Sequence, residues 1–83
     1  MIPNTEEQQK HLIELAFTKM PFGRYKDYYL SEIPEPYYVW FKQKGFPTNK
    51  IGNFLAEMYE IKVNGLEGMF KEIRKQVNNQ RLR

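Results

Sequence analysis

The stretch "KMPFGRYKDYYL", Lys19 to Leu30, sets three cationic side chains and four aromatic rings around one glycine. Those residue types do one kind of chemistry together. Lys and Arg neutralise phosphates, and rings that face solvent stack on bases, the combination used by proteins that hold single-stranded nucleic acid. The candidate nucleic-acid residues here are Lys19, Arg24, Tyr25, Lys26 and Tyr29, with Lys42 and Lys44 flanking them further along the chain. The same rings also suit a hairpin that closes a small core. A second candidate surface, Tyr37, Tyr38 and Trp40, would bind a protein partner or a second copy of the chain, because Tyr, Trp and Arg are favoured in such interfaces.

Other chemistries find fewer residues. A hydroxyl nucleophile needs a base and an orienting group, whereas the chain has one serine, Ser31, and one histidine, His11, in different predicted elements. His11 reads as a solvent-facing or half-buried helix residue. With one histidine and no cysteine, a zinc site would draw nearly all its ligands from carboxylates. Glu57 and Glu60 share a helix flank, but the apolar stripe beside them makes that flank the solvated margin of an amphipathic helix. Gly65 and Gly68 lack the spacing of a phosphate cradle. The expectation is a non-enzymatic chain without cofactor or metal.

Ten of the thirteen aromatics lie between Phe17 and Phe46. A small interior cannot bury them all while satisfying every Tyr hydroxyl and the Trp N–H. Strand alternation places Met20, Phe22, Tyr28 and Leu30 in the core and leaves Tyr25 and Tyr29 accessible. Some of Tyr25, Tyr29, Tyr37 and Tyr38 should reach the surface.

The elements that must position these residues follow from periodicity and punctuation. Thr5 and Gln8 make a capping box before a helix from about Glu6 to Phe17. Lys19 to Phe22 and Tyr28 to Leu30 read as a short β-hairpin around "GRYKD", with Pro21 on an outer edge where its missing N–H is harmless. Pro34 and Pro36 open a helix from about Pro36 to Lys44. Gly45 caps it, with Phe46 folding back on the last turn. Thr48 or Asn49 caps a third helix carrying Ile51, Phe54, Leu55, Met58 and Ile61 at helical spacing. Asn64–Gly65 ends it, and Leu66, Met69, Phe70, Ile73 and Val77 form a fourth stripe, with Glu67 and Lys71 ordered for an ion pair one turn apart. The predicted class is α+β: an N-terminal helix, a hairpin, then three packed helices.

At 83 residues the chain supports one domain, 1–83, ordered over about 5–77 with a polar basic tail at 78–83. Residues 1–70 carry eight Lys and Arg against nine carboxylates, a net charge of −1, and residues 71–83 carry five against one, a net of +4. The basic pI of 9.2 thus belongs to the C-terminal segment. The absence of cysteine fits a reducing compartment. "MIPNTEEQQKHLIEL" lacks the pattern of a secretory signal, and no apolar run reaches the roughly 18 residues a membrane span requires. The expected location is the cytoplasm, without membrane contact.

The linked motifs "MPFGRYK", "IPEPYYVW" and "YEIKVNGLEG", in that order and spacing, resemble a small bacterial family labelled a "putative quorum-sensing-regulated virulence factor". The first two are more loosely similar to the segment that follows the nuclease domain in exonuclease X-like and polymerase-epsilon-subunit-like proteins. That likeness implies an accessory to an enzyme acting on DNA, with single-stranded nucleic acid or a nuclease-like protein as partner. The family pattern usually has glycine after "YK", where this chain has Asp27. Asp tolerates positive φ at modest cost, so the bend survives, but its carboxylate offsets part of the charge of Arg24 and Lys26.

Overall fold

A computed structural model of the chain describes residues 6–81, and these form four α-helices and one 3₁₀ turn. Helix α1 spans Glu6–Phe17, the turn Leu30–Glu32, α2 Glu35–Lys44, α3 Lys50–Val63 and α4 Gly68–Arg81. Helix α1 packs on α4 and α2 on α3, while the 3₁₀ turn touches α1, α3 and α4 and so joins the two pairs. The Thr5 cap lies outside the described residues.

Local rules account for most of the boundaries. Pro34 and Pro36 sit at the start of α2, where their missing N–H groups have no intrahelical partner to lose. Of the two candidate caps for α3, Asn49 acts: its Oδ1 accepts from the Gly52 N–H at 3.0 Å. A Cβ on Gly52 would lie 1.7 Å from the Pro47 carbonyl oxygen, so the first turn of α3 can tuck beneath the Phe46–Pro47 segment only with glycine there. Helix α3 ends with the Gly65 N–H donating to the Lys62 carbonyl at 2.9 Å and the Leu66 N–H to the Ile61 carbonyl at 3.0 Å, a Schellman closure. Helix α4 runs to Arg81, four residues past Val77.

The expected α+β class is overturned. Among the described residues there is no strand and no hairpin, only one isolated antiparallel bridge between Lys19 and Tyr29. The chain does reverse there: the Met20 N–H donates to the Tyr28 carbonyl at 2.9 Å and the Leu30 N–H to the Thr18 carbonyl at 3.1 Å. No ladder grows on one side because the Tyr28 N–H donates to the Tyr25 carbonyl at 3.0 Å and the Met20 carbonyl accepts from the Asp27 N–H at 2.8 Å, so the bend closes on itself where the next ladder bond would lie. On the other side, the chain coils into the 3₁₀ turn, whose polar groups find partners on the helices instead of on a second strand. Strand parity fails with the strand. Met20 and Leu30 are buried as expected, but Phe22 is 39% and Tyr28 50% exposed.

The core collects Leu15 and Ala16 from α1, Met20, Leu30 and Ile33 from the connecting segment, Tyr38 from α2, Phe54, Leu55 and Met58 from α3, and Phe70 from α4. Threaded through it is a buried polar hub around "LSE". Arg74, assigned by charge to the basic C-terminal segment, is buried on the inner face of α4. Its guanidinium donates to the Ala16 carbonyl at 2.6 Å, the Ser31 hydroxyl at 3.1 Å and the Glu32 carboxylate at 3.1 Å. The buried Lys62 ammonium donates to the Ser31 carbonyl at 2.8 Å, and the Tyr38 hydroxyl to the Leu30 carbonyl at 2.8 Å. Burial pushes Lys62 below the usual lysine range, against the opposing pull of Glu67, Glu35 and Glu32. No ion pair joins Glu67 to Lys71 among the described residues.

Arg74→Met keeps the stem volume but leaves the Ala16 carbonyl and the Ser31 hydroxyl without their donor. The Glu32 side chain is 53% exposed, so its pairing contributes little, and the lost buried bonds set the cost at about 2–4 kcal/mol, measured as a lower urea midpoint at unchanged m. Tyr38→Phe costs about 1 kcal/mol at neutral pH, and it should also change the alkaline limb. Desolvation first, and Tyr37 second, raise the Tyr38 pKa in the folded state. This contribution is therefore fully present below the unfolded value of about 10 and is lost as pH climbs from there toward the folded one. The stability gap between wild type and Tyr38→Phe should shrink above about pH 10, and a gap constant through that range would refute the assignment. Lys62 has the opposite sign, gaining stability toward its ordinary value, but is common to both proteins.

Candidate functional site

A connected surface of aromatic rings runs from the bend at Gly23 across α2 to α3. Tyr28 meets Tyr25 edge-on at 5.3 Å, and Tyr25 meets Tyr37 edge-on at 4.8 Å. Tyr37 stacks on Trp40 at 5.8 Å with the planes only 27° apart. Phe41 contacts Tyr37, Trp40 and Phe22 and stacks on Phe46, which leans on Tyr59. Helical spacing explains the centre of this ribbon, since Tyr37, Trp40 and Phe41 lie three and four residues apart on one stripe of α2. Tyr37 and Phe41 are half-buried against the core, while Trp40 is 50% exposed.

Cations lie over the ribbon. The Arg24 guanidinium is 5.5 Å from the Tyr25 ring, Lys44 Nζ 5.9 Å from Trp40 and Lys42 Nζ 4.8 Å from Tyr59. Among the described residues none of Arg24, Lys26, Lys42 and Lys44 is in an ion pair. Exposed cation–π contacts are weak, about 0.5–1 kcal/mol, so these cations keep their charge available to an anionic partner. Chemically, the surface can stack a flat ring and neutralise anions beside it.

The residues expected from sequence divide into two groups. Arg24 and Tyr25 join the ribbon, Lys42 and Lys44 border it, and Lys26 is exposed in the bend beside Tyr25. Lys19 and Tyr29 belong elsewhere. Tyr29 is half-buried, edge-on to Phe17 at 6.3 Å, with Arg74 4.1 Å and Lys19 5.2 Å from its ring centre. It is therefore a cover for the Arg74 hub, and Tyr25, expected to be accessible with it, is likewise half-buried and packed against the core. Of the alternative patch, Tyr37 and Trp40 are in the ribbon, whereas Tyr38 faces the opposite way and is fully buried. Phe22 and Tyr28, assigned to the core from strand parity, are instead exposed ribbon members. Their exposure follows from the bend, whose own backbone bonds, the Lys26 N–H to the Gly23 carbonyl and the Tyr28 N–H to the Tyr25 carbonyl, replace the alternating ladder on which that parity depended.

The remaining polar residues are engaged away from the ribbon. His11 Nε2 sits 2.8 and 2.9 Å from the two oxygens of Glu57, bridging α1 and α3, and its ring is edge-on to Phe54. Glu57 is thus an interhelical partner, and Glu60 is exposed. Ser31 is buried with its hydroxyl accepting from Arg74. Asp27 adopts φ 72°, the conformation its position after "YK" anticipates.

The bend and the stack are coupled through one close approach. Gly23 has φ 79°, and a Cβ there would lie 3.3 Å from the Tyr37 hydroxyl. Gly23→Ala should cost about 1–2 kcal/mol in backbone strain and move Tyr37 off Trp40. The expected readouts are a lower urea midpoint together with a changed near-UV circular dichroism and Trp40 emission. Lower stability with unaltered Trp40 spectra would show that the bend does not set the stack.

Residues 8–73 match the model of the family described as "Putative quorum-sensing-regulated virulence factor". The chain is 38% identical over 69 residues to the uncharacterized protein YpeB of Escherichia coli K12, an alignment covering 82% of this chain and 96% of the relative. The YpeB protein of Escherichia coli O157:H7 gives the same identity and coverage. No solved structure matches. The match takes in the bend, the 3₁₀ turn, α2 and α3 together with most of α1 and the first part of α4, and on that extent the chain belongs to the "putative quorum-sensing-regulated virulence factor" family.

Proposed function

We propose that this chain is a non-enzymatic cytoplasmic accessory module that contacts nucleic acid weakly through Arg24, Tyr25 and Lys26 in the bend and Trp40, Lys42 and Lys44 on α2. One observation carries the reading: half-exposed Trp40 sits in a continuous ring surface whose neighbouring cations are in no ion pair among the described residues. Ring faces and unpaired cations are what a sequence-tolerant polynucleotide site needs. The resemblance of "MPFGRYK" and "IPEPYYVW" to a segment that follows nuclease domains favours the same role. The non-enzymatic part is supported by the separate partners of the two candidates: His11 bonds Glu57 and Ser31 bonds Arg74, so they are not paired as base and nucleophile.

A second reading, a protein-binding surface at Tyr37 and Trp40, is favoured by the exposure of the apolar Val39 next to Trp40. In that case the partner is a protein, such as a nuclease-like enzyme or a second copy of the chain, and co-purification survives nuclease treatment.

The test is fluorescence anisotropy of a labelled oligothymidylate against salt. The logarithm of the affinity should fall linearly with log salt, and Arg24→Ala with Lys26→Ala should reduce the slope by about 1.4, two phosphate contacts at roughly 0.7 each for a single strand. Undetectable binding at low ionic strength, or affinity indifferent to salt, overturns the nucleic-acid reading.

A further inference from the structure

We infer that the ribbon reads an unpaired base on Trp40, with Lys44 moving from the ring to the adjoining phosphate. This deepens the nucleic-acid reading and rests on it. Tyr37, Trp40 and Lys44 lie on one stripe of α2, so Tyr37 meets the indole from the preceding turn and Lys44 from the following one. The near-parallel Tyr37–Trp40 pair is the beginning of a stack, and half of Trp40 remains open to solvent. A base laid on that open part would continue the stack.

Lys44 is held near the indole only by a long cation–π contact of 5.9 Å and by no ion pair among the described residues. A phosphate beside the stacked base offers the ammonium a full charge in place of a ring quadrupole, which is the stronger partner at an exposed site. Stacking and neutralisation are thereby coupled, because the group that leaves the ring is the one that meets the phosphate. In a duplex each base already has its stacking partners and its faces are closed. The ligand class is therefore single-stranded nucleic acid with its bases present, distinct from a phosphate polymer as such.

Trp40 is the only tryptophan of the chain, so its emission reports the contact directly. The probes are an oligothymidylate and an abasic phosphodiester strand of equal length and charge, titrated into the full chain. The oligothymidylate should quench Trp40 emission and bind about tenfold tighter than the abasic strand. Trp40→Ala, with its far-UV circular dichroism unchanged, should lower oligothymidylate affinity to that of the abasic strand. Trp40→Phe, which keeps a ring face, should restore part of the difference. Lys44→Gln should weaken both probes while the quench persists at saturation. Equal affinity for the two strands, or oligothymidylate binding without quenching, overturns base stacking and leaves the phosphate contact standing. The wild-type comparison alone decides this, whatever the fate of the variants. Binding of neither strand overturns this inference and the nucleic-acid reading together.

Discussion

The guanidinium of Arg74 is the constraint on which the rest of the molecule depends. It reaches from α4 to the last turn of α1, where the Ala16 carbonyl has no intrahelical donor, and to the side chains of Ser31 and Glu32 in the 3₁₀ turn. A buried charge of this kind is costly unless it is fully hydrogen-bonded. Here the acceptors come from two separate segments, so satisfying the charge fixes where α1, the turn and α4 sit relative to one another. Lys62 and Tyr38 then hold the same turn from α3 and α2 by donating to its carbonyls. One three-residue turn thus receives a side-chain donor from each of the three later helices, which is why the segment after the bend has no need of a sheet to satisfy its backbone.

Fixing that turn has a consequence on the opposite side of α2. Tyr38 enters the core, and on a helix the residues one before and two after it must point elsewhere. Tyr37 and Trp40 are those residues, and they meet Tyr25 and Phe41 at the surface. The ribbon is therefore tied to the hub through the register of a single helix. A chain of this size buries a limited share of its surface, and a helix with so many consecutive aromatics cannot hide them all. Mutual ring contacts, at edge-on and offset geometries, reduce the water each ring faces while leaving Trp40 and Tyr28 half open.

Much of the helical framework was legible in the sequence because it rests on local rules. The span of α1, the Asn49 cap, the Gly65 closure and the return of Phe46 onto Phe41 all follow from spacing and terminator residues. The bend was read wrongly because alternation of Met20, Phe22, Tyr28 and Leu30 counts only if a ladder forms, and ladder growth depends on what the next backbone groups find in three dimensions. Arg74 was read as tail charge for a related reason. A tally of charge along the chain ignores the face, yet position 74 lies four residues after Phe70 and one after Ile73, on the stripe that packs inward. Tyr38 carried a comparable signal: a face defined by Tyr37, Trp40 and Phe41 leaves Tyr38 on the other flank of α2.

The two sets of cations differ in what their surroundings allow them to do. Arg74 and Lys62 are buried and donate to oxygens of the turn and, for Arg74, of α1, so they specify structure. Lys50 pairs with Glu14 and His11 with Glu57, which ties α1 to α3 at the surface. Arg24, Lys26, Lys42 and Lys44 are exposed and in no ion pair among the described residues, and three of them lie over rings. An exposed cation over a ring contributes little to stability, so these four can be altered with small effects on folding, unlike Arg74. Nearly neutral overall charge outside the C-terminal segment hides this separation. Of the carboxylates that balance the sum, Glu14, Glu32 and Glu57 pair with Lys50, Arg74 and His11, while Asp27 stays in the bend and offsets part of the charge of Arg24 and Lys26.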